Sequence, residues 1–73
     1  MVEIKVFGAG DDWANRAYYS LEHGGVTVEC DARDGWDEVA GREDGEEYVT
    51  LRVDSVADAR ARLSDEGFRV EVA

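Results

Sequence analysis

The amino-acid sequence predicts an α+β sandwich in which two helices cover one face of a four-stranded antiparallel sheet. Four segments alternate strictly between apolar and polar residues, as half-buried strands do, and two other segments carry apolar residues at helical spacing. The order along the chain is strand, helix, strand, strand, helix, strand. With right-handed crossovers, this order predicts the spatial strand order 4-1-3-2.

The predicted strands follow from the alternation. They span residues 2–7, 26–31, 48–53 and 68–72, and their inward-facing sets are Val2, Ile4 and Val6; Val26, Val28 and Cys30; Val49, Leu51 and Val53; and Phe68, Val70 and Val72. The positions between them are mostly polar, so each strand has one apolar side. Strands of this kind are typical of an antiparallel sheet that is covered on a single face.

The first predicted helix begins after Asp11 and Asp12 and ends at Gly24 and Gly25. Its apolar stripe consists of Trp13, Ala14, Ala17, Tyr18 and Leu21. The two aspartates lie at the positive end of the helix dipole. The glycine pair supplies the left-handed backbone conformation that ends a helix.

The second predicted helix begins at Ser55, because Ser55 and Asp58 form a capping-box pattern. It ends before Gly67, which again provides a left-handed cap. Its apolar stripe consists of Val56, Ala59 and Leu63.

The acidic, glycine-rich stretch at 32–45 is predicted to be the loop between the second and third strands, with a short helical turn at Trp36, Val39 and Ala40. A chain of 73 residues supplies one core, so we expect one domain over residues 1–73. With its two helices on one face, the arrangement resembles the ferredoxin-like βαββαβ fold.

Charge is the most unusual property of the composition. The chain has 18 acidic and 8 basic residues, a formal net charge of −10, and Lys5 is its one lysine. This composition resembles that of halophilic haloarchaeal proteins, which implies an acidic surface screened by diffuse monovalent cations. Nucleic acids and anionic membranes attract basic surfaces, so the charge argues against both as partners. A start without a signal-peptide pattern predicts a cytoplasmic protein.

The open face of the predicted sheet is the first candidate site. Phe7 and Tyr48 fall at outward positions of adjacent strands, beside Thr50 and Arg52, and the aromatic pair resembles the stacking platform of an RNA-recognition motif. The outward strand positions carry four acids and three bases, a charge of −1. This near-neutral face predicts association, with a second copy as a homodimer or with a protein partner. The alternative is an exposed sheet stabilised by cross-strand ion pairs, such as Glu3 with Arg52.

The glycine turn after the first strand is the second candidate. Backbone amides at Gly8 and Gly10 can hold an anion before a helix, or the segment forms a tight turn with an aspartate cap. Residues 47–72 resemble the second half of ACT domains, which implies small-ligand sensing with a ligand-binding glycine at Gly8 or Gly10. Through the L-x-x-x-G-F pattern of residues 63–68, the same stretch resembles the glyoxalase and bleomycin-resistance superfamily.

Other residue types give weaker signals. Oxygen ligands are abundant at Asp31, Asp34, Asp37, Glu38, Glu43 and Asp44, but their spacing does not match a calcium loop, so we expect no metal and no cofactor. Cys30 is the only cysteine and is predicted to be a small core residue. Trp36 either covers the core beneath its loop or anchors a partner.

The sequence therefore leaves two functions open. The first is a non-enzymatic, halophilic binding or interaction module that senses a small ligand or associates through its open sheet face. The alternative is a small dimeric α+β-barrel or glyoxalase-like enzyme, in which Phe7, Trp36 and Tyr48 line an apolar cavity between sheets. Catalysis would need an inward histidine, a carboxylate pair or a metal set, and the spacing predicts none of these.

Overall fold

Two helices pack on one face of an open, antiparallel, five-stranded sheet in the computed structural model, which describes residues 1–32 and 35–73. The elements are β1 (Val2–Phe7), α1 (Trp13–His23), β2 (Val28–Glu29), a 3-10 turn (Trp36–Glu38), β3 (Ala40–Glu43), β4 (Glu46–Val53), α2 (Val56–Ser64) and β5 (Arg69–Val72). The predicted α+β class with an antiparallel sheet is confirmed. The predicted number of strands is wrong, because the sheet has a fifth strand.

Strand β4 organises the sheet. It pairs with β1 on one side, and on the other side it pairs with both β2 and β3, each along a different part of its length. β5 pairs with the far side of β1, so the order is β2-β4-β1-β5 with β3 next to β4. The sheet thus differs from the four-stranded ferredoxin-like sheet that the sequence predicts.

The extra strand lies in the stretch predicted to be a loop. β3 pairs with the first half of β4 in a hairpin whose two-residue turn is Asp44-Gly45, with φ angles of 51° and 82°. Two positive φ angles are typical of the tight turns that join paired strands, and Asp-Gly is a favoured sequence for them. The predicted helical turn is confirmed as the 3-10 turn, whereas Ala40 belongs to β3. Asp34 lies outside the described residues.

The core lies between the helices and one face of the sheet. It contains most of the predicted inward residues of the strands and most of the apolar stripes of α1 and α2: Ile4, Val6, Trp13, Ala14, Ala17, Leu21, Val26, Val49, Leu51, Val53, Ala59, Leu63, Phe68 and Val70. Four other predicted members are only partly buried at its edge: Tyr18, Val28, Cys30 and Val56. Val2 and Val72, which were predicted to face inward, are 41% and 57% exposed because they lie at strand ends. Alternation and helical spacing therefore identified the packed face, but not how far it extends along each strand. Within the described residues, neither helix has the length and apolar character needed to cross a membrane.

Glycines end both helices, as the sequence predicts. Gly25 has a φ of 79°, and the next amide, of Val26, donates to the carbonyl of Leu21 over 3.0 Å. Gly67 ends α2 in the same way. In each case a left-handed residue satisfies a helix carbonyl that would otherwise lack a partner.

The two helices begin differently. Ser55 caps α2, because its hydroxyl accepts a hydrogen bond from the amide of Asp58 over 3.2 Å. Asp12 occupies the cap position of α1 but is left-handed, with a φ of 58°, and its side chain does not cap the helix. Its carboxylate instead accepts a hydrogen bond from Asn15 Nδ2 over 2.6 Å. An aspartate therefore occupies the cap position, as predicted, but its side chain does not accept a hydrogen bond from a helix amide.

A polar contact joins the helices. Arg62 Nε donates to the carbonyl and the hydroxyl of Ser20 over 3.0 and 3.1 Å, and the Ser20 hydroxyl donates to Glu66. Ser20 is buried, so this contact satisfies a polar group inside the helix interface.

Candidate functional site

The residues that the sequence singles out lie at three places on the surface. Phe7, Gly8 and Gly10 line one cleft, Tyr48, Thr50 and Arg52 line a groove on the open sheet face, and Trp36 lies in a third cleft against α1. The enzyme alternative expects Phe7, Trp36 and Tyr48 to line one cavity. Within this chain they lie in three different clefts.

The first cleft, which we call the glycine-loop cleft, lies where β1 ends. It has a volume of about 470 Å³, a size typical of small-ligand sites, and is lined by Phe7, Gly8, Ala9, Gly10, Trp13, Arg42, Gly45, Glu46, Glu47, Gly67 and Arg69. The loop after β1, the β3–β4 turn and the approach to β5 thus meet at one end of the sheet.

Trp13 lies against the backbone of the glycine loop. A Cβ atom at Gly8 would lie 2.8 Å from Cδ2 of Trp13 and 3.0 Å from Cδ1 of Phe68, so a side chain there would collide with both rings. Gly10 has a φ of 98°, which residues with a side chain rarely adopt. Gly8 is therefore required for packing, and Gly10 for the path of the loop.

Two arginines bring cationic groups to this cleft. The guanidinium of Arg69 lies 4.1 Å from the ring centre of Phe7. It pairs with Glu46 over 3.1 Å and also with Glu71. Arg42 donates to Glu47 over 2.9 Å and to the carbonyl of Gly45, also over 2.9 Å. The two arginines balance the two glutamates, so the lining has no net formal charge, although the whole chain carries −10.

The open face of the sheet carries a network of ion pairs. Arg52 donates to both carboxylate oxygens of Asp31 over 2.7 and 2.9 Å and lies 3.6 Å from Glu29. The hydrogen bond to Asp31 raises the pKa of Arg52 above its usual range. Lys5 pairs with Glu43 over 2.8 Å, which raises the pKa of the Lys5 ammonium above its ordinary value of 10.5.

This face is more acidic than the sequence indicates. β3 and the extended start of β4 add Glu43 and Glu46, which pair with Lys5 and Arg69 of the face. Glu38 lines the groove on the same face. The seven acids are Glu3, Glu29, Asp31, Glu38, Glu43, Glu46 and Glu71, and the three bases are Lys5, Arg52 and Arg69. The charge of the face is therefore −4, which corrects the count of −1 and leaves −6 elsewhere.

The aromatic pair of the open face is largely covered. Phe7 is 3% exposed and lies 5.3 Å from Tyr48 between ring centres. Tyr48 is half-buried and lies across the neighbouring strand, where a Cβ atom at Gly41 would lie 2.5 Å from its Cζ. The Lys5 ammonium lies 4.9 Å from the Tyr48 ring centre on the same face. These rings thus pack on one another and on charged neighbours.

The third site, which we call the aromatic cleft, lies between α1 and the 3-10 turn. Its described lining is Asn15, Tyr18, Tyr19, Cys30, Ala32, Gly35 and Trp36, and its volume is about 310 Å³. Tyr18 stands between the other two rings: its centre lies 6.0 Å from Tyr19 at an interplanar angle of 88°, and 6.1 Å from Trp36 at 60°. None of the described lining residues is charged.

A chain of hydrogen bonds fixes Trp36 against α1. Its indole Nε1 donates to Asn15 Oδ1 over 2.8 Å, and Asn15 Nδ2 donates to the carboxylate of Asp12. Trp36 also packs on the rim of the core, in agreement with the first of its two predicted roles; the second, as an anchor for a partner, stays a prediction. It remains partly exposed, and the cleft beside it is open.

Tyr18 and Cys30 lie at the inner side of the aromatic cleft. Burial raises the pKa of Tyr18 above its ordinary value of 10.0, and the nearby Glu22, Cys30 and Tyr19 act in the same direction. Cys30 is a free thiol that packs against the core rim, where its sulfur accepts a hydrogen bond from the amide of Ala32 over 3.4 Å. Both residues are thus partly covered by their neighbours.

Groups suited to metal binding do not cluster in the described part of the chain. Within residues 1–32 and 35–73, no three His, Cys, Asp or Glu side chains come together as a metal site. His23 ends α1, and neither His23 nor Cys30 is among the residues that line the glycine-loop cleft.

Sequence reasoning missed the two arginines of the glycine-loop cleft. Arg42 falls in the stretch that the sequence predicts to be a loop. Arg69 is one of the three bases at the outward positions of the predicted strands, and nothing in the sequence indicates that it lies near a cleft. The Asp44-Gly45 pair was the available signal, because a hairpin turn there carries Arg42 and Glu47 to the end of the sheet where β1 finishes.

No protein-family model, curated protein or solved structure matches this chain. The ACT-like and glyoxalase-like resemblances of residues 47–72 gain no support from these comparisons. The functional proposal below therefore depends on the geometry of the clefts.

Proposed function

We propose that this protein is a non-enzymatic binding module that takes a small organic carboxylate in the glycine-loop cleft. The observation that supports this most is the placement of Arg42 and Arg69 at a cleft of ligand size lined by Phe7 and Trp13. Guanidinium groups bind carboxylates through paired, charge-assisted hydrogen bonds. The aromatic lining suits an apolar substituent on the ligand.

The ion pairs of these arginines do not prevent such binding. Arg42 and Glu47 keep 61% and 55% of their side-chain surface exposed, and Arg69 and Glu46 keep 50% and 56%. Pairs this exposed contribute only about 0–1 kcal/mol, because water competes for both partners. Glu71, the second partner of Arg69, is also exposed, at 42%. A ligand carboxylate can therefore replace Glu46 or Glu47 at small cost, while Glu71 stays paired with Arg69.

Binding fits the lining better than catalysis does. The titratable side chains among the lining residues are two arginines and two glutamates, and each arginine is paired with a glutamate. A general base or nucleophile near neutral pH is usually a histidine, a cysteine or a carboxyl group with a shifted pKa. The one histidine, His23, and the one cysteine, Cys30, line other clefts.

The test is a titration of the protein with phenylacetate, followed by ¹H–¹⁵N NMR in concentrated KCl. We expect saturable shifts at the amides of Gly8 and Gly10 and at the indole of Trp13. Arg69→Gln and Arg42→Gln should each weaken binding by about tenfold or more, the effect of losing a hydrogen bond to a charged group.

Arg52→Gln is the matched control, because Arg52 is also an arginine in an exposed ion pair but lies outside the cleft. It should leave the phenylacetate affinity unchanged. Shifts that survive both Arg69→Gln and Arg42→Gln, or no shifts at all, would reject the carboxylate site.

Association of two copies through the open sheet face stays a prediction, as does adaptation to concentrated salt. Each face carries −4, so two faces repel in dilute buffer. Salt reduces the screening length from about 10 Å at 0.1 M to about 3 Å at 1 M. We therefore expect light scattering to show a monomer in dilute buffer and a dimer in concentrated KCl. A monomer at both salt concentrations would exclude the dimer.

A further inference from the structure

The aromatic cleft has the chemistry of a cation site. Tyr18, Tyr19 and Trp36 form a row in which the central ring lies about 6 Å from each neighbour and is steeply inclined to both. Aromatic rings carry negative charge on their faces and attract cations that lie over them. Several inclined rings can surround an alkylated ammonium ion, whose methyl groups also favour apolar contact.

The electrostatic surroundings favour a cation. Glu22 lies four residues after Tyr18 on α1, a spacing that brings side chains together on a helix, and its charge acts on Tyr18. On its other side, Tyr19 borders a cleft that is also lined by Arg16, His23 and Arg62. The Arg16 guanidinium donates to the carbonyl of Ala9 and lies over the Phe68 ring, and Arg62 donates to Ser20, so both guanidinium groups have partners outside the aromatic cleft.

The cleft offers no charged competitor among its described residues. Its described lining is aromatic, amide, thiol and small apolar. The chain as a whole carries a formal charge of −10. A diffuse negative potential therefore draws cations to the surface, and the rings select among them by their apolar, polarisable faces.

We propose that the aromatic cleft binds an alkylated ammonium ion, of the trimethylammonium type, between Trp36 and the two tyrosines. This site is separate from the proposed carboxylate site. A simple alkali cation keeps its hydration shell in water, whereas a trimethylammonium group is weakly hydrated and can lie directly on the rings.

The site is organised before ligand binds. The indole of Trp36 is held by Asn15, and Asn15 is held by Asp12 at the start of α1. A ring that is already held in place loses little conformational entropy on binding. Little of the free energy of the cation–ring interaction is therefore spent on ordering the side chain.

The test compares choline with 3,3-dimethylbutan-1-ol, in which carbon replaces the charged nitrogen. The indole resonance of Trp36 is followed by ¹H–¹⁵N NMR at constant chloride concentration. We expect choline to shift this resonance in a saturable way and the uncharged alcohol to bind at least tenfold more weakly. Equal binding of both, or no binding of choline, would overturn the proposal.

Tyr19 supplies the matched variants, because it is 57% exposed and its replacement does not disturb the core. Tyr19→Phe keeps the ring and should keep the choline affinity within about twofold. Tyr19→Leu removes one ring and should weaken choline binding by roughly 2- to 30-fold, as expected for one cation–π contact. Equal affinity in both variants would also overturn the proposal.

Discussion

The two clefts beside α1 are built from different chemistry. The glycine-loop cleft is charged and balanced, with two arginines and two glutamates beside aromatic rings, whereas the described lining of the aromatic cleft is uncharged. Trp13 in the first cleft is 8% exposed and belongs to the core, while Trp36 in the second packs on its rim. A small acidic protein can therefore offer one site for an anion and another for a cation.

The contrast between the two tryptophans predicts the largest effect. Trp13→Ala should lower the free energy of unfolding by about 3–5 kcal/mol, because it removes a buried ring and leaves a cavity between Gly8 and Phe68. Trp36→Ala should cost less than half of that, since a partly exposed ring leaves no closed cavity. Urea unfolding in concentrated KCl measures both.

A domain of this size has a total stability of roughly 4–11 kcal/mol, so Trp13→Ala leaves little in reserve. Trp13→Phe is the milder variant for conditions in which Trp13→Ala is unfolded. Equal losses for the alanine variants would show that the two tryptophans do not differ in packing as described.

Glycine substitutions give the next effect. Gly8→Ala should cost about 1–3 kcal/mol, because the new methyl group meets the rings of Trp13 and Phe68, which are both 8% exposed and belong to the core. Gly41→Ala meets Tyr48 instead, and this half-exposed ring can tilt away. We expect a loss below 1 kcal/mol there. Thermal unfolding of the two variants compares them, and a larger loss for Gly41→Ala would contradict this account.

Alkaline pH should act on the aromatic cleft through Tyr18. The raised pKa means that folded Tyr18 keeps its proton at a pH where the unfolded chain releases it. The unfolded state therefore gains relative stability as pH rises above 10, and the effect is absent below that value. Lys5 adds to the same loss, because its raised pKa reflects an ion pair with Glu43 that disappears on deprotonation.

The Tyr18→Phe variant isolates the tyrosine. In the folded protein, the rise in tyrosinate absorbance at the highest pH values should be missing from this variant. The decrease in the free energy of unfolding above pH 10 should also be smaller than in the unmodified protein. An identical titration in both proteins would show that burial does not shift Tyr18.

The smallest effect is expected on the open sheet face. Arg52→Gln removes the pair with Asp31 and the longer contact with Glu29. Because these groups are exposed, the loss should be about 0.2–1 kcal/mol, and it should shrink as salt increases. Chemical unfolding at low and high KCl tests this, and a loss that does not depend on salt would indicate a packing role for the arginine.

Much of the fold was readable from local patterns. β1 spans 2–7 as alternation predicts, and both helices are followed by a glycine with a positive φ, Gly25 after α1 and Gly67 after α2. β3 escaped detection because Ala40-Gly41-Arg42-Glu43 does not alternate and has low strand propensity. The evidence for β3 in the sequence is the Asp44-Gly45 pair, a favoured hairpin turn that consists of two residues and not of an alternating pattern.

The clefts were harder to predict, because each joins residues that are distant in sequence. Gly8 looked like a ligand-binding glycine, yet its first requirement is contact with Trp13, five residues later. Tyr18 appeared only as part of the helix stripe, and its contact with Trp36 depends on the path of the chain between β2 and the 3-10 turn. Local spacing carries no information about such contacts.

The most direct test uses the fact that the chain has two tryptophans, one in each cleft. Their two indole N–H resonances, assigned with Trp13→Phe and Trp36→Phe, report on both sites in one sample. Phenylacetate should shift the Trp13 resonance and leave that of Trp36 in place, and choline should do the reverse. If phenylacetate left Trp13 unchanged, or if either compound moved both indoles equally, the account of two separate sites would be contradicted.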